Sequence, residues 1–101
     1  MTYDSSLAVL ADPTRRAIFE AIAARPRSVA DLASRLPVSR PAVSQHLKAL
    51  TEAGLAEAKA DGTRRIYSIR PEGLKPLRDW LDRFWDEPLA AFAAETERRR
   101  K

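Results

Sequence analysis

The sequence predicts a mainly α-helical fold with one small two-stranded β-hairpin, in the order α-α-α-α-β-β-α, the last helix kinked or divided near Pro88. Three observations lead there. Apolar residues recur three and four apart through the first half of the chain, punctuated by capping residues and prolines. After Gly54 the spacing becomes alternating on both sides of an Asp61-Gly62 pair. Beyond the second of these runs it returns to helical spacing, over an unusually wide apolar arc.

The elements follow in order. "YDSSLAVLA" places Leu7 and Leu10 three apart, which marks a short first helix. In "LADPTRRAIFEAIAARP" Asp12 is an N-cap and Pro13 a first-turn residue, and Ile18, Ala21 and Ile22 form a buried stripe that Arg25 and Pro26 stop, giving a helix over 13–24. In "SVADLASRLP" Ser28 caps a third helix with Asp31 three positions on. Val29, Leu32 and Leu36 share its inner face, and Pro37 ends it. In "SRPAVSQHLKAL" Ser39 is the cap, and Val43, Leu47 and Leu50 form one stripe. Pro41 fits the first turn, and Gly54 supplies the stop. Two short helices joined by a tight Leu36-to-Ser39 turn have the layout of a helix-turn-helix.

Asp-Gly between strand-like runs is a hairpin signal, and Tyr67 with Ile69 fits one buried face of the second strand. Directly after a helix-turn-helix, with Arg64 and Arg65 near its tip, such a hairpin is the wing of a winged helix. In the last segment Leu74, Leu77, Leu81, Phe84 and Phe92 lie on one side, flanked by Trp80, Trp85 and Leu89. This arc covers about half the circumference, against about 100° for an ordinary core-facing stripe, so part of it needs a partner besides its own domain. Pro76 is expected near the first turn and Pro88 at a break.

The chain has 101 residues, the size of one domain: about 28–54 for the helix-turn-helix, about 55–70 for the wing and about 74–98 for the last helix. It contains no cysteine, which excludes disulfides and thiolate metal sites. The net charge of +4 is unevenly spread: residues 25–70 carry nine Lys/Arg against four Asp/Glu, residues 71–97 three against seven, and the chain ends in "RRRK". A basic middle is where a polyanion docks. The tail reads as a frayed, solvated end. Apolar runs are short and no secretory signal pattern opens the chain, so the reading is a cytoplasmic protein without membrane association.

The face of the fourth helix opposite its apolar stripe carries Pro41, Ser44, Gln45 and Lys48, with Ser39 and Arg40 at its amino end and no acid before Glu52. A solvated face would be richer in Glu and Lys. Guanidinium, amide, hydroxyl and ammonium donors are the types that suit phosphates and base edges. Gln45 is the candidate for adenine, Arg40 for guanine or phosphate, and Lys48 for phosphate. Pro41 offers apolar contact to a thymine methyl. His46 projects beside the buried stripe, where a packed histidine and a phosphate contact are equal readings. Arg64 and Arg65 are candidates for the minor groove or phosphates, against a charged tip that discourages edge pairing.

The stretches "LADPTRRAIFEAI", "SVADLASRLPVSRPAVSQHLKALTEAGL" and "GTRRIYSIRPEGL", in that order and spacing, resemble the ArsR family of small bacterial winged helix-turn-helix repressors over nearly the whole chain. The resemblance implies a homodimer whose fourth helix enters the major groove and whose first and last helices form the interface. Leu7, Leu10, Trp80, Phe84, Trp85, Leu89 and Phe92 are its candidate residues here. Many members sense metals through a cysteine pair near the third helix, where this chain reads Ser28, Val29, Ala30; others use His on the last helix, and no His follows residue 46. No metal and no cofactor is therefore expected.

The functional expectation is a homodimeric repressor that covers a near-palindromic operator in double-stranded DNA. The rivals are a winged helix that binds protein through the same surface, and the same repressor under an unidentified small ligand or protein antagonist. An enzyme finds no support: glycine is scarce, no phosphate loop appears and the single His lacks a nucleophile partner.

Overall fold

A computed structural model describes residues 3–85 and 95–96. Its elements are α1 (Tyr3–Leu10), α2 (Pro13–Ala24), β1 (Arg27–Ser28), α3 (Val29–Arg35), α4 (Arg40–Glu52), β2 (Ala56–Asp61), β3 (Arg64–Ile69) and α5 (Pro71–Phe84). The three expected caps are formed. Asp12 Oδ1 accepts from the Arg15 N–H at 2.9 Å, Ser28 Oγ from Asp31 N–H at 3.1 Å and Ser39 Oγ from Ala42 N–H at 3.3 Å. Each satisfies one amide that the first helical turn leaves without a partner.

The end of α4 is a Schellman motif. Gly54 takes φ +76°, Leu55 N–H donates to Leu50 O at 2.9 Å, and Gly54 N–H donates to Thr51 O at 3.0 Å. Leu50 and Leu55 are both fully buried, so the turn that stops the helix also drives the chain back into the core. Ile18 and Ile22 of α2, Leu32 of α3, and Val43, Leu47 and Leu50 of α4 complete that core, with Tyr67, Ile69 and Leu74 packed at its edge.

The sheet has one strand more than the sequence reading predicts. β1 pairs antiparallel with β3 (Arg27 with Tyr67, Ser28 with Ile66), giving the order β1-β3-β2. Two residues carry no alternation to detect, and this strand exists only because β3 passes beside it. The hairpin turn is also displaced by one residue. Asp61 pairs with Arg64, so Gly62 and Thr63 form the loop, and only Gly62 has positive φ, at +65°. Glycine first in a two-residue loop is the type II′ pattern.

α5 starts at Pro71, three residues before the expected boundary, which puts Pro76 in its second turn rather than its first. The early start brings Gly73 against the backbone of Gly54, whose carbonyl a Cβ at position 73 would strike. α5 then leaves the core: none of its residues is fully buried. It packs instead on α1, where Tyr3 stacks on Trp80 at 5.0 Å and 11°, and Trp80 meets Phe84 edge-on at 5.0 Å and 80°. The expected break near Pro88 lies outside the described residues.

Candidate nucleic-acid interface

α4 is anchored on one side and open on the other. With Val43, Leu47 and Leu50 at zero exposure, a 3.6-residue period puts Arg40, Pro41, Ser44, Gln45 and Lys48 in solvent, where all five lie. Ser39 is exposed too, but its hydroxyl is engaged as the cap. The wing rises beside the amino end of this helix. Arg40 and Ser44 of α4 face Arg64 and Arg65 of β3 across a cleft of about 490 Å3. Tyr67 and the chain from Ser28 to Ala30 form the rest of its wall. The structure thus gathers four of the expected residues into one place, while Gln45 and Lys48 lie farther along the helix, outside the cleft.

The electrostatics of this surface are set by where the acids are. Asp31, one turn into α3, is held by Arg27 Nη1 at 3.0 Å and by Arg35 Nε at 3.1 Å. Those hydrogen bonds, from Arg27 first and then Arg35, keep its carboxyl below the ordinary value of 3.8. Asp12 is likewise lowered, chiefly by the backbone N–H of Arg15. Among the described residues, neither Arg40 nor Arg65 is paired with a carboxylate. Arg65 instead lies over the Tyr67 ring at 6.0 Å. Arg64 meets Asp61 at 3.6 Å, an exposed pair that contributes little.

His46 is drawn inward. Its Nδ1 accepts from Arg15 Nε at 3.4 Å, and Arg15 Nη1 also donates to Val9 O at 3.2 Å, so one guanidinium joins α1, α2 and α4. Arg15 had no signal in the sequence, because its partner is 31 residues away.

The candidate interface residues divide. Leu7 is 41%, Phe84 50% and Trp85 66% exposed, and Leu81, which the sequence places on the same side of the apolar arc as Phe84, is 43% exposed. Leu10 packs on its own core, and Trp80 is engaged between Tyr3 and Phe84. Leu89 and Phe92 lie outside the described residues. Among the described residues no group of three His, Cys, Asp or Glu could hold a metal, and no helix is long and apolar enough to cross a membrane.

Comparison with known proteins decides the family. A helix-turn-helix domain model matches residues 10–57. The HTH-type transcriptional regulator Rv2034 of Mycobacterium tuberculosis is 53% identical over 90 residues, covering 89% of this chain and 84% of the relative. The solved ArsR-like transcriptional regulator from Rhodococcus superposes with TM-score 0.74 at 36% identity, over 89% of this chain and 88% of that one. The chain belongs to the ArsR family. It is a DNA-binding transcriptional regulator, not an enzyme. A further ArsR-type structure, the homodimeric winged helix-turn-helix DNA-binding domain of a possible regulator from Mycobacterium bovis, is 30% identical with TM-score 0.66, over 83% of this chain and 78% of that one.

Proposed function

We propose that this ArsR-family regulator is a homodimeric repressor, acting in the cytoplasm, that blocks transcription by occupying a near-palindromic operator. The observation that carries the reading is the meeting of Arg40 and Ser44 with Arg64 and Arg65 in one acid-free cleft, between an open polar helix and a basic hairpin. α4 lies in the major groove, where Gln45 reads adenine through its bidentate amide and Arg40 reads guanine or holds a phosphate. Ser39, Pro41, Ser44 and Lys48 line the same approach, and Arg64 and Arg65 reach the flanking phosphates or minor groove. His46, held by Arg15 at Nδ1, lies beside this face and approaches the DNA backbone.

The twofold axis runs beside α1 and α5. Leu7, Leu81, Phe84 and Trp85 would be covered there by the same residues of a second chain. Two α4 helices so related address half-sites about 34 Å apart.

The test is capture of sheared genomic DNA by the pure protein at moderate salt, repeated with Gln45 and Lys48 both replaced by Ala. Recovery of a few near-palindromic promoter fragments, lost in the double variant, supports the reading; uniform recovery overturns it. With six to ten phosphate contacts per dimer, affinity falls by about three to five orders of magnitude between 50 and 200 mM salt.

A further inference from the structure

The cleft between α4 and the wing has a composition that DNA phosphates alone do not account for. Its volume of about 490 Å3 lies within the range of small-molecule sites. One part of its wall is apolar: Val29, Ala30 and the ring of Tyr67. The other is cationic, with the guanidiniums of Arg40, Arg64 and Arg65, and none of the lining residues is acidic. Arg40 and Arg65 have no carboxylate partner among the described residues, and Arg65 already rests on an aromatic face at 6.0 Å.

We propose that this cleft binds a small aromatic carboxylate, and that its occupancy releases the regulator from DNA. An inorganic anion would use the guanidiniums but leave the apolar wall against water. A purely apolar ligand would cover the wall while stripping water from unpaired cations, which is costly. A ring bearing a carboxylate meets both demands. Its two oxygens take the parallel N–H donors of a guanidinium, which match them in spacing and plane. Its ring extends the Arg65–Tyr67 stack toward Val29 and Ala30, and the Ser44 hydroxyl is placed to donate a further hydrogen bond.

Release follows from competition, and that half of the proposal rests on the DNA-binding reading above. Arg40, Ser44, Arg64 and Arg65 cannot serve a ligand carboxylate and the DNA backbone at once. A ligand that prefers the DNA-free protein lowers DNA affinity by the same factor by which DNA lowers its own.

The experiment uses 1-naphthoate as probe, with inorganic phosphate as the control anion, titrated into the full-length DNA-free protein by calorimetry. It is then repeated against captured promoter DNA by fluorescence anisotropy, with ionic strength held constant by chloride so that screening does not imitate displacement. The deciding variant is Ala30→Glu. Position 30 is exposed and in the first turn of α3, where a carboxylate suits the helix, so the fold is retained while a negative charge enters the cleft. Naphthoate binding should be saturable, weaker by about ten-fold or more in Ala30→Glu, and restored in Ala30→Gln, which has the same bulk without the charge. Gln45→Ala, outside the cleft, should bind naphthoate as the parent does.

Absence of saturable binding, equal binding in Ala30→Glu, or phosphate binding as tightly as naphthoate would each overturn the ligand class. Naphthoate bound with DNA affinity unchanged would overturn the release. Failure of the protein to hold any promoter DNA would instead overturn the operator reading, with the calorimetry still deciding the site.

Discussion

The body formed by α2, α3, α4 and the sheet is complete within one chain, whereas the layer formed by α1 and α5 is not. In the body Ile18, Leu32, Val43, Leu47, Leu50 and Leu55 are at zero exposure. In the layer Leu7, Leu81, Phe84 and Trp85 stand 41% to 66% exposed, and α5 has no fully buried residue although its first turn touches the core through Leu74. Contiguous large apolar side chains in water mark an interaction surface. One region therefore fixes how the α4 face and the wing are presented, and the other exposes the apolar surface that the proposed dimer would cover. Ser6 of α1 sharpens the contrast, being fully buried with an Oγ that has no hydrogen-bond partner among the described residues.

The most damaging way to test this division is through the body. Leu47→Ala removes a side chain at zero exposure from the centre of the helix-turn-helix and should cost about 2–5 kcal/mol of unfolding free energy, measured by urea denaturation. A cost below about 1 kcal/mol would show that the body is not the stability unit described here.

Next comes the layer. Trp85→Asp leaves the body untouched and places a charge at an aromatic residue that is 66% exposed. The dimer dissociation constant should rise by about a hundred-fold or more, with monomers in sedimentation equilibrium and an unchanged far-ultraviolet dichroism spectrum. An intact dimer would move the interface away from α5.

The smallest effect is in acid. Asp31 joins β1 to α3 through Arg27 and Arg35, and its carboxyl is held below the ordinary 3.8 by those hydrogen bonds. A group depressed in the folded state adds stability above its unfolded value and loses it as pH falls through the folded one. Asp31→Asn should thus be less stable than the parent at pH 7, with the difference closing below pH 3.8. A difference that is constant with pH would assign the loss to the cap region rather than to the charge.

What the sequence determined by itself is what neighbours along the chain decide. Asp12, Ser28 and Ser39 cap because a side-chain oxygen reaches an amide three residues on; Gly54 ends α4 because it alone there takes positive φ without a Cβ clash. The apolar period placed Val43, Leu47 and Leu50 inside, and so left Arg40, Ser44, Gln45 and Lys48 outside. What only the tertiary structure decided depends on residues far apart in the chain. The two-residue β1 exists through its pairing with β3, Gly73 is required by the backbone of Gly54, His46 is turned inward by Arg15, and Arg40 faces Arg64 across the cleft. The register in which α5 meets the body and the place where the wing rises beside α4 are set by packing over long loops of chain, and packing leaves no periodic mark in a sequence.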